Sequence, residues 1–203
     1  MSRARRAVLA LAAALTAACV VSAPAASAAD VVLPFNNYRV GGSLTVKKLN
    51  QSIALPAGST FNGSANVTQG TLSGHVSIPT FTSTIRVLAV PTQVTTQLVE
   101  AQPVEGTVKL DPDFTTHIRS TTSAILYIRK LRLGLLSVPT TCRTSSPIKL
   151  TLNYDGPFSF PINFGGTTTI PSLTGSGLLG PTLGLLLSGP GNPYHITLSP
   201  PSG

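Results

Sequence analysis

Apolar and polar residues alternate through most of the chain, and Pro or Gly interrupts them about every ten residues. That period of two predicts β-strands joined by tight turns. Phe61, Gly63, Ala65 and Val67 fall on one face, with Asn62, Ser64 and Asn66 on the other. After a turn at Thr68-Gln69-Gly70, Leu72, Gly74, Val76 and Ile78 point inward and Ser73, His75 and Ser77 outward. A second hairpin has the same phase. Val104, Gly106, Val108 and Leu110 face in, Asp111-Pro112-Asp113 turns the chain, and Phe114, Thr116 and Ile118 complete the inner face. A slip of one residue would expose each apolar set, so register is well specified.

The two hairpins belong to a weak internal repeat. Residues 61–67 match 104–110, Leu72-Ser73-Gly74-His75-Val76 matches Phe114-Thr115-Thr116-His117-Ile118, and Ile85-Arg86-Val87-Leu88 matches Ile128-Arg129-Lys130-Leu131. Val90-Pro91-Thr92 matches Val138-Pro139-Thr140. An offset of about forty residues predicts one supersecondary unit used twice, over roughly residues 55–98 and 99–152. Long apolar strands at 84–90 and 124–133 each lead, through Val-Pro-Thr, to another strand, 94–98 and 148–152. Pro91 and Pro139 mark bends or edges, because proline cannot donate to a ladder. Tyr38, Val40, Leu44 and Val46 around Gly41-Gly42 read as one bulged strand or a short hairpin. Phe158, Phe160, Ile162 and Phe164 continue the alternation after Gly156-Pro157.

From Gly165 the character changes, with Gly, Pro, Ser, Thr and Leu prevailing and no charged residue to the end. Gly180, Pro181 and Gly184 interrupt the apolar run 178–187, which predicts no stable helix there. Tyr194-His195-Ile196-Thr197-Leu198 reads as a closing strand. The domain expected is a β domain over 29–164 with a Gly/Pro/Leu-rich extension over 165–203.

Composition changes this picture at the N-terminus. Arg3, Arg5 and Arg6 precede an apolar run over 7–21, and Ala26-Ser27-Ala28 offers a small-x-small cleavage pattern. Residues 1–28 are expected to be a secretory signal peptide cleaved after Ala28. A second reading is a lipid anchor at Cys19, with 22–27 as tether, and Arg5-Arg6 also fits a short twin-arginine pattern. Removing the signal takes three of the fourteen basic residues, leaving eleven against six acidic ones, a net charge of +5. Nucleic acid would want a denser basic stripe interleaved with aromatics, so none is expected as partner. Cys142 becomes the sole cysteine, and no internal disulfide can form.

Candidate chemistry is sparse. His75 and His117 occupy matched positions, but the alternation turns both outward, and neither has Asp, Glu or Cys beside it at ligand spacing. His195 stands alone. Arg143 beside Cys142 could activate a thiol. A partly buried thiol at a strand end, or an intermolecular link, is the simpler reading. Asp111 and Asp113 read as turn formers before an acid–base pair or a Ca²⁺ site. Arg86 and Arg129 form another matched pair, read as outward. No Gly-x-Ser-x-Gly elbow or phosphate-cradling loop occurs. An enzyme, a cofactor and a metal are therefore not expected.

Gly63-Ser64-Ala65-Asn66 through Gly74-His75-Val76, Thr121-Thr122-Ser123 and Cys142-Arg143-Thr144-Ser145-Ser146-Pro147 resemble segments of small secreted actinobacterial proteins of unassigned function. Those proteins carry a β-rich core and a Cys-x-Thr-x-x-Pro segment, and the likeness covers roughly residues 58–152. It implies a fold of that kind and no activity.

The sequence thus predicts an all-β chain, an antiparallel β-sandwich or flattened barrel of about ten strands. The function expected is that of a secreted, non-enzymatic cell-envelope protein. In one reading two β units leave an apolar cavity for a lipid or other hydrophobic ligand. Gly63, Gly74 and Gly106 motivate it, since absent side chains leave room. In the other the core is filled and the outer face serves adhesion or binds a cell-wall polymer. An enzyme using Cys142 stands a distant third.

Overall fold

A computed structural model describes residues 29–87, 90–177 and 179–201. The expected signal peptide, the Cys19 anchor, and Leu88 and Leu178 lie outside the described residues. In chain order the elements are β1 (Val32–Val46), a 3-10 turn (Lys47–Leu49), β2 (Gln51–Ala54), β3 (Thr60–Asn66), β4 (Thr71–Ser77) and β5 (Phe81–Val87). There follow β6 (Val90–Leu110), β7 (Thr115–Leu133), β8 (Leu136–Thr144), β9 (Ile148–Pro157) and β10 (Ile162–Ile170). β11 (Leu173–Thr174), α1 (Leu179–Leu187) and β12 (Gly189–Ser199) complete the chain.

The fold is all-β, as the alternation requires. One antiparallel sheet of twelve strands, ordered β10-β12-β1-β3-β4-β6-β7-β8-β11 along its main path, curls into a half-barrel. The barrel alternative is therefore the nearer one.

Both predicted hairpins form in the predicted phase: Phe61 pairs with Val76 and Gly63 with Gly74, while Val108 pairs with Ile118. The inner residues Phe61, Ala65, Val104, Val108 and Ile118 are buried. Phe114 departs from the expectation. It sits in the β6–β7 turn at a φ of 64°, before β7 begins, and its ring is exposed.

What the alternation does not foretell is how long the central strands are. β6 runs for 21 residues and β7 for 19. Pro103 survives inside β6 because register shifts on both sides of Gln102 place it in a bulged stretch, where a ladder donor is not needed. Each long strand changes neighbour partway. One edge of β6 pairs with β5 and then with β4, and the outer edge of β7 pairs with β9 and then with β8. The sheet thereby forks into two lobes with separate cores. One centres on Phe35, Phe61, Val104, Ile118 and Phe164, the other on Ile85, Ile128, Leu131, Cys142 and Leu173.

The two repeat units differ in connectivity. β4 and β5 are separate strands, whereas their counterparts form the single strand β7, and Val138-Pro139-Thr140 lies within β8. The join expected near residue 98 falls inside β6. Residues 165–203 are distinct in composition but not in space: β10 crosses 164/165, and β12 lies between β1 and β10.

The expectation for the C-terminal apolar run is overturned. Residues 179–187 are helical. Pro181 occupies the first turn, where a backbone N–H has no intrahelical partner to lose. Gly184 faces β11 closely, so that a Cβ there would stand 3.3 Å from the Leu173 nitrogen. Leu183 and Leu187 are buried in the second core. Tertiary packing supplies what the interrupted local sequence lacks.

Candidate functional site

The concave side of the first lobe encloses a cavity of about 430 Å³. Its walls come from strands whose inner positions alternate into it: Phe35 and Val40 from β1, Val104 and Val108 from β6, Ile118 from β7 and Leu152 from β9. Phe164 of β10 and Tyr194 of β12 close the far wall. β9 and β10 lie side by side there, with no backbone ladder between them among the described residues. Side chains seal that seam. Thr168 Oγ1 donates to the Lys149 carbonyl at 2.6 Å, and the Tyr194 hydroxyl passes Gly166 to donate to the Thr151 carbonyl. Burial raises the Tyr194 pKa, so the phenol remains a neutral donor.

Glycine does not create this space. A Cβ on Gly74 would lie 2.5 Å from two carbons of the Phe61 ring, and one on Gly63 2.7 Å from its Cζ. The ring lies across that cross-strand glycine pair and fills it. Gly106 packs against the β7 backbone, a Cβ there reaching 2.5 Å from Ser120 Cα. The volume comes instead from the curl of the sheet, and from Ala65, Ser120 and Ala124 where larger side chains could stand.

Polar groups in the lining are few. Glu100 is its only charged residue among those described. β4 and β6 part beyond the Gly74–Val104 pair, and the Glu100 carboxylate fills the gap, accepting from the Val76 N–H at 2.7 Å with His75 Nδ1 also at 2.7 Å. Ser120 Oγ donates to the Leu152 carbonyl at 3.3 Å. Thr116 differs. It is 1% exposed, it lines the cavity, and its Oγ1 has no hydrogen-bond partner. Its inward phase was legible in the sequence, where a hydroxyl on an apolar face is the signal.

At one end the lining meets solvent. Phe114 is 72% exposed, Val31 55% and Phe158 42%, and all three line the cavity. The Val67 N–H donates to the Val31 carbonyl at 2.9 Å, and the Phe158 N–H to the Phe114 carbonyl at 3.3 Å, which ties the turns of this rim together. Exposed aromatic rings around an apolar opening are unusual on a solvated surface. No family model, curated protein or solved structure matches this chain.

The candidates singled out by residue type lie elsewhere. His75 and His117 do face outward, but the fold brings acids to both from distant strands. His117 Nδ1 is 2.6 Å from Asp155 Oδ1 and its Nε2 3.1 Å from Asp111 Oδ2, while Arg119 grips both Asp155 oxygens. Hydrogen bonds to Asp155 and then Asp111 raise the His117 pKa. Arg119 and then His117 hold Asp155 below the usual carboxylate range, and Lys109 and then His117 do so for Asp111. Both ring nitrogens of His117 are thus engaged by carboxylates, a structural arrangement that leaves neither free for a substrate or a metal. Asp111 and Asp113 do form the turn: Asp111 accepts from the Phe114 N–H at 2.9 Å and Asp113 from the Thr115 N–H at 3.0 Å. His195 is exposed on β12.

Cys142 is wholly buried within β8 rather than partly buried at a strand end, its thiol directed to the Gly175 carbonyl at 3.7 Å. Arg143 points to the opposite, exposed face. Arg86 and Arg129 also point outward, the latter bonded to Gln97 and stacked 4.4 Å over the Tyr127 ring. Among the described residues no group of three or more His, Cys, Asp or Glu could hold a metal ion.

Proposed function

We propose that this protein is a secreted, non-enzymatic cell-envelope protein that holds a lipid or other hydrophobic molecule in the cavity of its first lobe. The cavity itself carries the reading. Its volume of about 430 Å³ falls in the range of small-molecule sites, roughly 300–1,000 Å³. Its walls are almost wholly apolar and open to solvent at the rim. An apolar occupant takes that surface out of water, at roughly 25 cal/mol per Å² buried. Thr116 Oγ1 supports an occupant with a hydrogen-bonding group rather than a pure hydrocarbon, since a buried hydroxyl without a partner costs roughly 1–3 kcal/mol. The exposed rim of Val31, Phe114 and Phe158 suits entry of an apolar chain. Export rests on the sequence features of residues 1–28, with release after Ala28 or anchoring at Cys19 as the two forms.

Native mass spectrometry of protein recovered from its own secretion route tests this. The expected result is a discrete adduct that a fluorescent fatty acid displaces. Adduct-free protein that takes up no fatty acid would refute the cavity reading and leave adhesion through the Thr- and Asn-rich outer face. The same spectrum gives the mass of the mature N-terminus and so decides between Ala29 and an acylated Cys19.

A further inference from the structure

Charge is sorted between the two lobes. All six acids, Asp30, Glu100, Glu105, Asp111, Asp113 and Asp155, lie in the lobe that holds the cavity. The other lobe carries only cations. On the outer face of its β5–β6–β7–β8 sheet stand Arg86, Arg129, Lys130, Arg132 and Arg143, all exposed, and none makes an ion pair among the described residues. The strand pairing places them together. Arg132 pairs with Ser137 and Gln93, Gln93 pairs in turn with Thr84, two residues from Arg86, and Arg143 pairs with Tyr127 beneath Arg129. Lys130 and Arg132 alternate outward while Leu131 turns into the core.

The end of this sheet is apolar. The β7–β8 turn presents Leu135, 97% exposed, and Leu136, 64% exposed, with Leu133 and Val90 exposed beside them. Gly134, at a φ of 57°, lets the chain reverse and lifts both leucines clear of the sheet, a turn tied by the Arg132 Nε–H to the Gly134 carbonyl at 3.0 Å. Leucines at a tip have no folded-state reason to face water. The cavity rim is at the other end of β7, about 60 Å away along a strand of 19 residues.

We infer that this tip and the cationic face behind it dock on an anionic lipid bilayer, Leu135 and Leu136 entering the interfacial region and the five cations meeting headgroup phosphates. Charge complementarity selects an acidic surface, since no carboxylate lies on the face to repel it. The projecting leucines select a bilayer over a soluble acidic polymer, which offers nothing apolar to receive them. Docked in this way, the molecule holds its cavity rim away from the membrane. The inference stands apart from the cavity reading, because it uses neither the cavity nor any residue that lines it.

Vesicle sedimentation of the full exported chain tests it. Binding is expected to vesicles of equimolar phosphatidylglycerol and phosphatidylcholine, to fall with added salt, and to be absent with phosphatidylcholine alone. Lys130→Gln with Arg132→Gln is expected to weaken it about 25-fold, at about fivefold per cation. Leu135→Ser with Leu136→Ser is expected to weaken it at least tenfold without changing the thermal midpoint, since both side chains are exposed. Equal binding to neutral vesicles, or none to anionic ones, would overturn the inference. So would a leucine variant that binds as wild type while heparin competes fully, which would assign the face to soluble polyanions.

Discussion

Ala65→Leu separates an open cavity from a filled core by the sign of its effect. Ala65 is 3% exposed, lies on β3 between its pairing partners Leu33 and Leu72, and lines the cavity. Leucine adds three carbons. If they enter open space, burial contributes about 0.8 kcal/mol each, roughly 2.4 kcal/mol in all. Lost rotamer freedom takes back about 0.5–1 kcal/mol. A net gain of about 1.5–2 kcal/mol would raise the thermal midpoint by about 3–8 °C for a chain of this size. In a filled core the same substitution is overpacking and costs about 1–3 kcal/mol. The two outcomes therefore differ in sign and by about 2.5 kcal/mol or more, and cannot be confused. Urea unfolding of delipidated protein measures the change, with an unaltered slope showing that the folded and unfolded states keep their compactness. Fatty-acid uptake should fall in parallel, because the added side chain occupies ligand volume. Destabilisation of the delipidated variant by 1 kcal/mol or more would refute the reasoning, whatever the uptake.

Thr116→Val removes the unpartnered hydroxyl and keeps the shape, so delipidated protein should gain roughly 1 kcal/mol in urea unfolding while affinity for a polar-headed ligand falls. Gly74→Ala should cost about 1–3 kcal/mol by collision with the Phe61 ring, and Phe61→Leu should recover part of it in the double variant. Leu183→Ala should cost about 2–5 kcal/mol and release α1 from the second core, read as lost amide protection over 179–187. The His117 network sets a pH optimum. His117 has a raised pKa, so its contribution is complete below its ordinary value of 6.5 and is lost as pH rises through the folded value. Asp111 and Asp155 have lowered values, so theirs are complete above about 3.8 and are lost as pH falls through the folded ones. Stability from this cluster is then greatest between about pH 4 and 6.5, and thermal midpoints of His117→Gln should lack the alkaline decline. An unchanged decline in that variant would rule the network out as its source.

The alternation of residues 61–78 and 104–118 was enough to pair two hairpins in register and to turn His75 and His117 outward. A period of two is a local property: each side chain's face follows from its neighbours along the strand. Thr116 belongs with these, a hydroxyl visibly in the inward phase. The helix at 179–187 was not legible, because propensity counts Pro181 and Gly184 as breakers, while a first-turn position makes Pro181 acceptable and close packing on β11 does so for Gly184. Phe61 also misled the reading of the glycines. Whether an absent side chain leaves a hole depends on which way a neighbouring ring on the same face leans, and alternation places Phe61 on that face without giving its rotamer.

What the chain determined by itself is its class, its register and its inner and outer faces. Only the tertiary structure decided that β6 and β7 change neighbours midway, and that fork made two lobes from one sheet. The cavity, the meeting of Asp155 with His117 and the second lobe free of carboxylates all follow from the fork. Each depends on which strands stand side by side across dozens of residues, a quantity that summed bulges and curvature set and that no local period carries.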